Sequence, residues 1–327
     1  MLRSYQYIEK SYMNYSLRGD LFHDKEIEIA RRFTESHPIR RETKHICPIC
    51  CKGNGKYFYT KWGVDYLRCE ACKSVFAVYD RETVRQYLQY EELQILRRSK
   101  EYQEQITQNR KEVWQDFLEW MEVRAFRFMK RSRGLSIVDI GNRLKGYSEA
   151  IQDSSIVGDY DLRESLIGEN TYRISEGEAD IVFWLDQMKT ETEPEKKLRL
   201  FSKLLKKDGL LVLNTRAGSG FDIITLRENN QEIYPYEHIL LPSVGGLNQL
   251  LQQCGYEVLE VTTPGVMDLK YVMDSKNKLD GRECFVRTLL EEADGGILQE
   301  FQRFLQKSCL SSFVCMIARK EESRADI

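Results

Sequence analysis

The sequence predicts an α/β protein in which a mostly parallel sheet is covered by helices on both faces, preceded by a small metal-binding ribbon and a long helical segment. Three observations predict it. From residue 135 onward, short apolar runs alternate with amphipathic stretches over ~180 residues, the pattern of parallel strands joined by helical crossovers. Two Cys-x-x-Cys pairs, Cys47-Pro-Ile-Cys50 and Cys69-Glu-Ala-Cys72, flank an aromatic, β-prone stretch. From Asp80 to Arg133 no Gly or Pro interrupts a series of apolar residues at helical spacing.

At 327 residues the chain has the length of two domains or one elaborated domain, with ample sequence for a sizeable core. No run of 18 apolar residues occurs, and the N-terminus lacks a charged-then-apolar leader pattern. The expectation is a soluble, cytoplasmic protein with no membrane span. Net charge is −2, but the first 135 residues carry an excess of about seven positive charges and the remainder is acidic. No Lys/Arg-dense run is interleaved with aromatics, which favours a solvated helical face over a nucleic-acid surface.

The elements follow in chain order. Residues 1–45 form a Tyr-rich N-terminal extension with one helix at about 24–36, stopped by His37-Pro38. Residues 46–80 are the ribbon, whose run Tyr57-Phe-Tyr-Thr-Lys-Trp-Gly63 predicts a hairpin turning at Trp62-Gly63. Residues 81–134 are a helical linker, one long helix or two in series, with Val84, Leu88, Ile95, Tyr102, Ile106, Val113, Phe117 and Trp120 on the apolar face and Gly134 as C-cap. Its aromatic positions sustain no heptad, so packing onto its own sheet is favoured over pairing, with a homodimer left open. Residues 135–327 are the α/β domain. Strands are expected at 136–141, 156–161, 179–185, 210–215, 256–261 and 313–318, and helices at 194–206 and 243–254. Residues 266–310 mix helix-like and loop-like patterns without a motif.

Of the nine cysteines, four fall in the two pairs, and eighteen residues separate Cys50 from Cys69. That is a metal spacing rather than a disulfide framework, and it suits a reducing compartment. Each Cys-x-x-Cys turn presents two thiolates to one ion, so Cys47, Cys50, Cys69 and Cys72 are expected to hold one Zn2+ tetrahedrally. Four protein ligands leave no open position, which makes the zinc structural. Cys51 and His45 lie beside the first pair and are read as bystanders.

Ser136-Ile-Val-Asp-Ile-Gly-Asn-Arg-Leu-Lys-Gly-Tyr147, followed by Ile156-Val-Gly-Asp-Tyr-Asp161, has the order of a nucleotide-binding βαβ unit. A strand ends in Asp-Ile-Gly, a turn leads to a helical pattern, and a second strand stops at acidic residues. Glycines in such a turn let the backbone approach a ligand that a Cβ would block. Gly141 stands where the pattern wants it. Arg143 and Lys145 occupy the next two glycine positions, and Gly146 comes one residue late.

On these residues, with Ala179-Asp-Ile-Val-Phe183 and Leu204-Leu-Lys-Lys-Asp-Gly-Leu-Leu-Val-Leu213, the chain resembles the class I S-adenosylmethionine-dependent methyltransferases over residues 136–265 and on to Ala318. The ribbon, Tyr234-Pro-Tyr-Glu-His-Ile239 and Thr262-Thr-Pro-Gly-Val-Met-Asp268 look like bacterial methyltransferases of sugar and surface-glycan biosynthesis. The resemblance implies a Rossmann-like methyltransferase domain with S-adenosyl-L-methionine as cofactor. It assigns Asp139, Gly141 and Gly146 to the donor loop, Asp159 or Asp161 to the ribose hydroxyls, and Asp186 to the pocket wall. It also implies a Glu-His pair at the acceptor. His238 would be the general base, oriented by Glu237, with Tyr236 hydrogen-bonded to a developing enolate.

The expected function is therefore methyl transfer from S-adenosylmethionine to a small molecule, a nucleotide-linked sugar or glycan. Arg143 and Lys145 beside a cationic sulfonium are unfavourable unless they point elsewhere. The alternative is a catalytically inactive, methyltransferase-like zinc-binding scaffold that binds a partner protein. A zinc-ribbon nucleic-acid modifier is the weakest reading, because the total charge is near neutral.

Overall fold

The computed structural model describes residues 21–38, 46–141, 151, 154–163, 176–279, 281 and 284–321. A six-stranded sheet lies at the centre, built from β4 (Leu135–Ile140), β5 (Val157–Arg163), β6 (Ala179–Leu185), β7 (Leu205–Arg216), β9 (Tyr256–Thr262) and β10 (Phe313–Lys320) in the order β5-β4-β6-β7-β10-β9. Strands β4 to β7 pair in parallel, and β10 runs antiparallel between β7 and β9. All seven residues of β6 are buried, as a central strand covered on both faces requires. This is the mostly parallel, Rossmann-like α/β sheet that the alternation predicts. The chain leaves β4 for β5 on one side and returns to β6 on the other, so the strand order reverses at β4.

Asp180 ties the amino ends of three strands together. Its carboxylate accepts from Ser136 N–H at 2.8 Å and lies 3.0 Å from Lys206 and 2.5 Å from Arg131. Burial pushes its carboxyl up, but these donors outweigh burial and hold it below the usual range. β7 begins five residues earlier than expected. The Lys207-Asp208-Gly209 break survives as an irregularity, with Asp208 at φ 63° and a register shift before Ile181 pairs with Leu210.

Ahead of the sheet, α1 (Leu21–Ser36) precedes the hairpin of β1 (Gly55–Lys61) and β2 (Val64–Cys69). The turn lies where expected. Trp62 and Gly63 have φ of 51° and 84°, the two left-handed residues that match the twist of paired strands. β3 (Val75–Ala77) extends the hairpin, and β8 (Leu240–Leu241), from far along the chain, adds a fourth strand. One apolar core is continuous from Phe33 of α1 through Ile49, Tyr66 and Phe76 to Trp184, Phe201 and Leu211 of the α/β layers.

The segment expected as one or two helices is three: α2 (Arg81–Leu88), α3 (Glu91–Arg98) and α4 (Lys100–Met129). Side chains rather than Gly or Pro make the breaks. Gln94 donates to Leu88 O at 2.6 Å, and Ser99 caps α4 by accepting from Tyr102 N–H at 3.3 Å. The helix ends at Lys130, which takes the left-handed conformation with φ 59°, and not at Gly134, which turns the chain into β4. Phe117, Leu118, Trp120, Met121 and Ala125 of α4 pack on Ile137, Ile181, Phe183 and Val212, the expected return to its own sheet.

Beyond α5 (Pro194–Leu204), α6 (Phe221–Leu226) and α7 (Val244–Gln253) lies the stretch that carries no legible motif. It folds as α8 (Asp268–Asp274), α9 (Cys284–Glu292) and α10 (Gly295–Lys307), around a satellite core of Leu226, Leu269, Tyr271, Val272 and Leu305. No helix among the described residues is long and apolar enough to cross a membrane.

Candidate functional site

The four paired cysteines converge as expected, with every Sγ within 4.8 Å of the others. Cys47 and Cys72, like Cys50 and Cys69, stand 3.6 Å apart. A tetrahedron with Zn–S of about 2.3 Å has edges of about 3.8 Å, so the spacing fits the ion. The Cys47 thiol and Ser74 pull the Cys72 thiol down to about 5, and hydrogen bonding to Cys72 together with burial pushes the Cys47 thiol up. Gly53 is required beneath the cluster, because a Cβ there would stand 2.4 Å from Cys69 Sγ. Cys51 is exposed and outside the group, and His45 lies outside the described residues.

The cluster abuts the amino end of α7. Ser243 caps that helix, accepting from Gly246 N–H at 2.9 Å, and its own hydroxyl donates to Cys72 O. Ser243 N–H donates to Ser74 Oγ at 2.9 Å. Thiolates at a positive helix end are favourably placed.

A second site sits at the carboxyl ends of β4 and β6, in the crevice where the strand order reverses. Open α/β sheets bind ligands at such switch points. Asp139 is fully buried there and accepts from Tyr160 Oη at 2.9 Å. Gly141 follows with φ +79°, and a Cβ on it would meet Gln187 Oε1 at 2.9 Å. Asp186, the residue after β6, is in the left-handed region, φ 56°, an uncommon conformation for a non-glycine residue. Asn214 holds that turn, its Oδ1 accepting from Asp186 N–H at 2.8 Å. The Asp186 carboxylate is 42% exposed and lies 2.7 Å from Lys189 Nζ. Gln187 also lines a cavity of about 210 Å³ between α2 and the loop after β6, with Arg81, Val84, Leu88 and Thr190.

The other donor-site expectations fare differently. Asp159 is exposed on the edge strand β5, and Asp161 is held at 2.7 Å by Arg163. Gly146, Arg143 and Lys145 lie outside the described residues. Gln187 and Lys189 were not legible as site residues, since an isolated Gln or Lys after a strand carries no spacing signal.

Tyr236, Glu237 and His238 adjoin one another and are bonded into the framework. Tyr236 Oη donates to His37 O at 3.2 Å, and its ring packs on Phe33 and Tyr87. Glu237 is 2.8 Å from Arg97 and 3.4 Å from Lys189, and Arg97 also holds Glu26 at 2.6 Å. The Nδ1 lone pair of His238 accepts from Tyr234 N–H at 3.4 Å, a pairing that assigns the proton to Nε2. Burial, then the cation Lys189, with Arg216 and Lys61 behind it, holds the imidazole well below its usual range. The imidazole is therefore neutral in the fold.

The sequence matches no protein-family model and no curated protein. Solved methyltransferase structures are similar at low identity. Phosphoethanolamine N-methyltransferase 2 of Haemonchus contortus, in complex with phosphomonomethylethanolamine and S-adenosylhomocysteine, is 12% identical with TM-score 0.38, covering 94% of this chain and 76% of that one. Coclaurine N-methyltransferase, bound to N-methylheliamine and S-adenosylhomocysteine, is 14% identical with TM-score 0.36, covering 64% and 71%. A S-adenosylmethionine-dependent methyltransferase from Mesorhizobium loti is 12% identical with TM-score 0.35, covering 61% and 98%.

Proposed function

We propose that this chain is a S-adenosylmethionine-dependent methyltransferase acting on a small molecule, with a structural zinc in its ribbon. One observation carries the reading. At the switch point of the sheet, a buried Asp139 and a left-handed Gly141 lie beside the turn of Asp186 and Gln187, whose amide would meet a Cβ on the glycine. That is the place and the chemistry for a nucleoside-type ligand, with backbone for close approach and carboxylates for hydroxyl or amine groups. Donor and acceptor would be held in line, and most of the rate would come from positioning.

Asp139, Gly141 and Asp186 would hold the donor, with Asp159 or Asp161 of β5 at its ribose. His238 would contribute a fixed N–H rather than a base. The sugar acceptor expected from the Glu-His pair gains nothing from this geometry, since Glu237 is spent on Arg97 and Lys189. Calorimetric titration of the purified chain with S-adenosylhomocysteine tests the proposal. Saturable one-to-one binding that Asp186→Ala weakens is expected, and no heat at millimolar ligand would overturn it.

A further inference from the structure

A buried polar cluster at the carboxyl end of β7 adjoins the crevice. Arg216 closes that strand two residues beyond Asn214, which holds the Asp186 turn. Its guanidinium lies over the Tyr271 ring at 5.4 Å, yet its polar contacts are long: Tyr271 Oη at 3.4 Å, Ser312 Oγ at 3.5 Å and the Glu232 carboxylate at 3.8 Å. Asn230 joins the two acids of the cluster, donating to Asp222 Oδ2 at 3.0 Å and accepting from Glu232 N–H at 3.0 Å. His23 of α1 stands over Glu232 at 3.7 Å.

The cluster is under-satisfied. Glu232 Oε1 and His23 Nε2 are each buried without a hydrogen-bond partner, on residues that are 6% and 8% exposed, beside a fully buried Asp222. The adjacent Asp268 shows what satisfaction looks like, accepting from Ser312 N–H, Ser311 Oγ and Gln302 Nε2 at 2.6 to 2.7 Å. Buried polar atoms without partners are rare, and each calls for a reason. Burial and the charge of Asp268 also push the Asp222 carboxyl up to about 7, outweighing Arg216 and the hydrogen bonds from Ser312 and Asn230.

The mixture of charges selects the ligand. An anion alone would suit Arg216 but meet Glu232, and a cation alone would suit the acids but meet Arg216. A neutral polyol would leave the buried guanidinium without a close anion, where a bidentate carboxylate makes the stronger bond. We propose that Arg216, Asp222 and Glu232 bind the head group of an amino-acid-type zwitterion, its carboxylate on Arg216 and its ammonium between Asp222 and Glu232. That such a ligand is the methyl acceptor rests on the proposed donor reading; that it binds does not.

The test uses the full chain and reads thermal unfolding and calorimetry, with and without saturating S-adenosylhomocysteine. The probes are L-alanine, L-glutamate and L-tyrosine. Tyramine lacks the carboxylate, 3-(4-hydroxyphenyl)propionate lacks the ammonium, and methyl α-glucoside is the neutral polyol. At least one amino acid should raise the unfolding temperature at millimolar concentration while the three controls do not. Arg216→Met should weaken that binding at least ~10-fold. If Arg216→Met fails to fold, the isosteric Glu232→Gln decides by the same criterion. Stabilisation by a control as strong as by the amino acids, by methyl α-glucoside alone, or by none of the probes would overturn the proposal. So would unchanged affinity in a folded variant. Competition between amino acid and S-adenosylhomocysteine would also overturn it, by placing the probe at the donor's own amino-acid end. Titration with S-adenosylhomocysteine alone judges the donor reading separately.

Discussion

Gly141→Ala tests whether the turn after β4 is shaped for close approach. The glycine has φ +79°, and an added Cβ would stand 2.9 Å from Gln187 Oε1. Two penalties add. Holding an L side chain in the left-handed region costs about 1 kcal/mol. Displacing Gln187 gives up its 3.3 Å hydrogen bond to Leu185 O, a loss of about 1 kcal/mol. The expected destabilisation is therefore about 2 kcal/mol. Gly255 is the control, with φ +80° but nothing within 4 Å of its Cβ position, so Gly255→Ala should show the backbone penalty alone, about 1 kcal/mol. Urea unfolding of the three proteins measures the difference. Titration with S-adenosylhomocysteine should show at least ~10-fold weaker binding for Gly141→Ala, because Gln187 is pushed within the crevice, and none for Gly255→Ala. Equal stability losses at the two glycines, with donor affinity intact in both, would refute the assignment of Gly141 as a site-shaping residue.

Metal analysis should find one zinc per chain, and Cys69→Ser should lose it together with the cooperative unfolding of the ribbon; zinc retained at full stoichiometry would contradict a four-cysteine site. Glu237→Gln removes one of two carboxylates from each cation, since Arg97 keeps Glu26 and Lys189 keeps Asp186, and a loss of about 2 kcal/mol is expected in chemical denaturation. His238 is held neutral in the fold, so only the unfolded chain takes up its proton as pH falls below about 6.5. Stability should therefore fall between pH 6.5 and 5, by up to about 2 kcal/mol from this group, and His238→Gln should remove that part of the slope. An unchanged slope would show that His238 titrates normally when folded.

The elements that were legible are those whose signal is local. Trp62-Gly63 between β-prone runs names its own turn, and a wholly apolar 179–185 is readable as a central strand because nothing in it needs water. The zinc site was legible for the same reason, since two short turns contain all four ligands. The breaks at Gln89 and Ser99 were not, because Gln and Ser continue a helix in most settings; here Gln94 reaches back to donate to Leu88 O, and Ser99 accepts from Tyr102 N–H. The contacts of Tyr236 and Glu237 were not legible, because His37, Arg97 and Lys189, which reach them, come from three distant segments. Arg216, Asp222 and Glu232 share the difficulty. Their juxtaposition depends on how the turn after β7 folds back, and no spacing in the sequence encodes that.

A ribbon and an α/β sheet that read as separate modules share a core and are also bonded through one short segment. Residues 237–241 bond to both. On one side β8 pairs with β3, and Ala77 N–H donates to Ile239 O at 2.8 Å. On the other, Ile239 N–H donates to Lys189 O at 2.8 Å, and Glu237 reaches the Lys189 side chain that holds Asp186. A zinc held by the four cysteines would fix the turn that precedes β3, and Ser243 links that turn to α7 just beyond β8. A metal there would therefore support the same segment that bonds to Lys189 beside Asp186. This explains why β8 can be only two residues long: its place is set from both flanks rather than by its own ladder. It also gives the buried pairing of Glu237 with Arg97 and Lys189 a purpose that a general acid–base pair would not need, because a carboxylate between two fixed cations holds its loop in place.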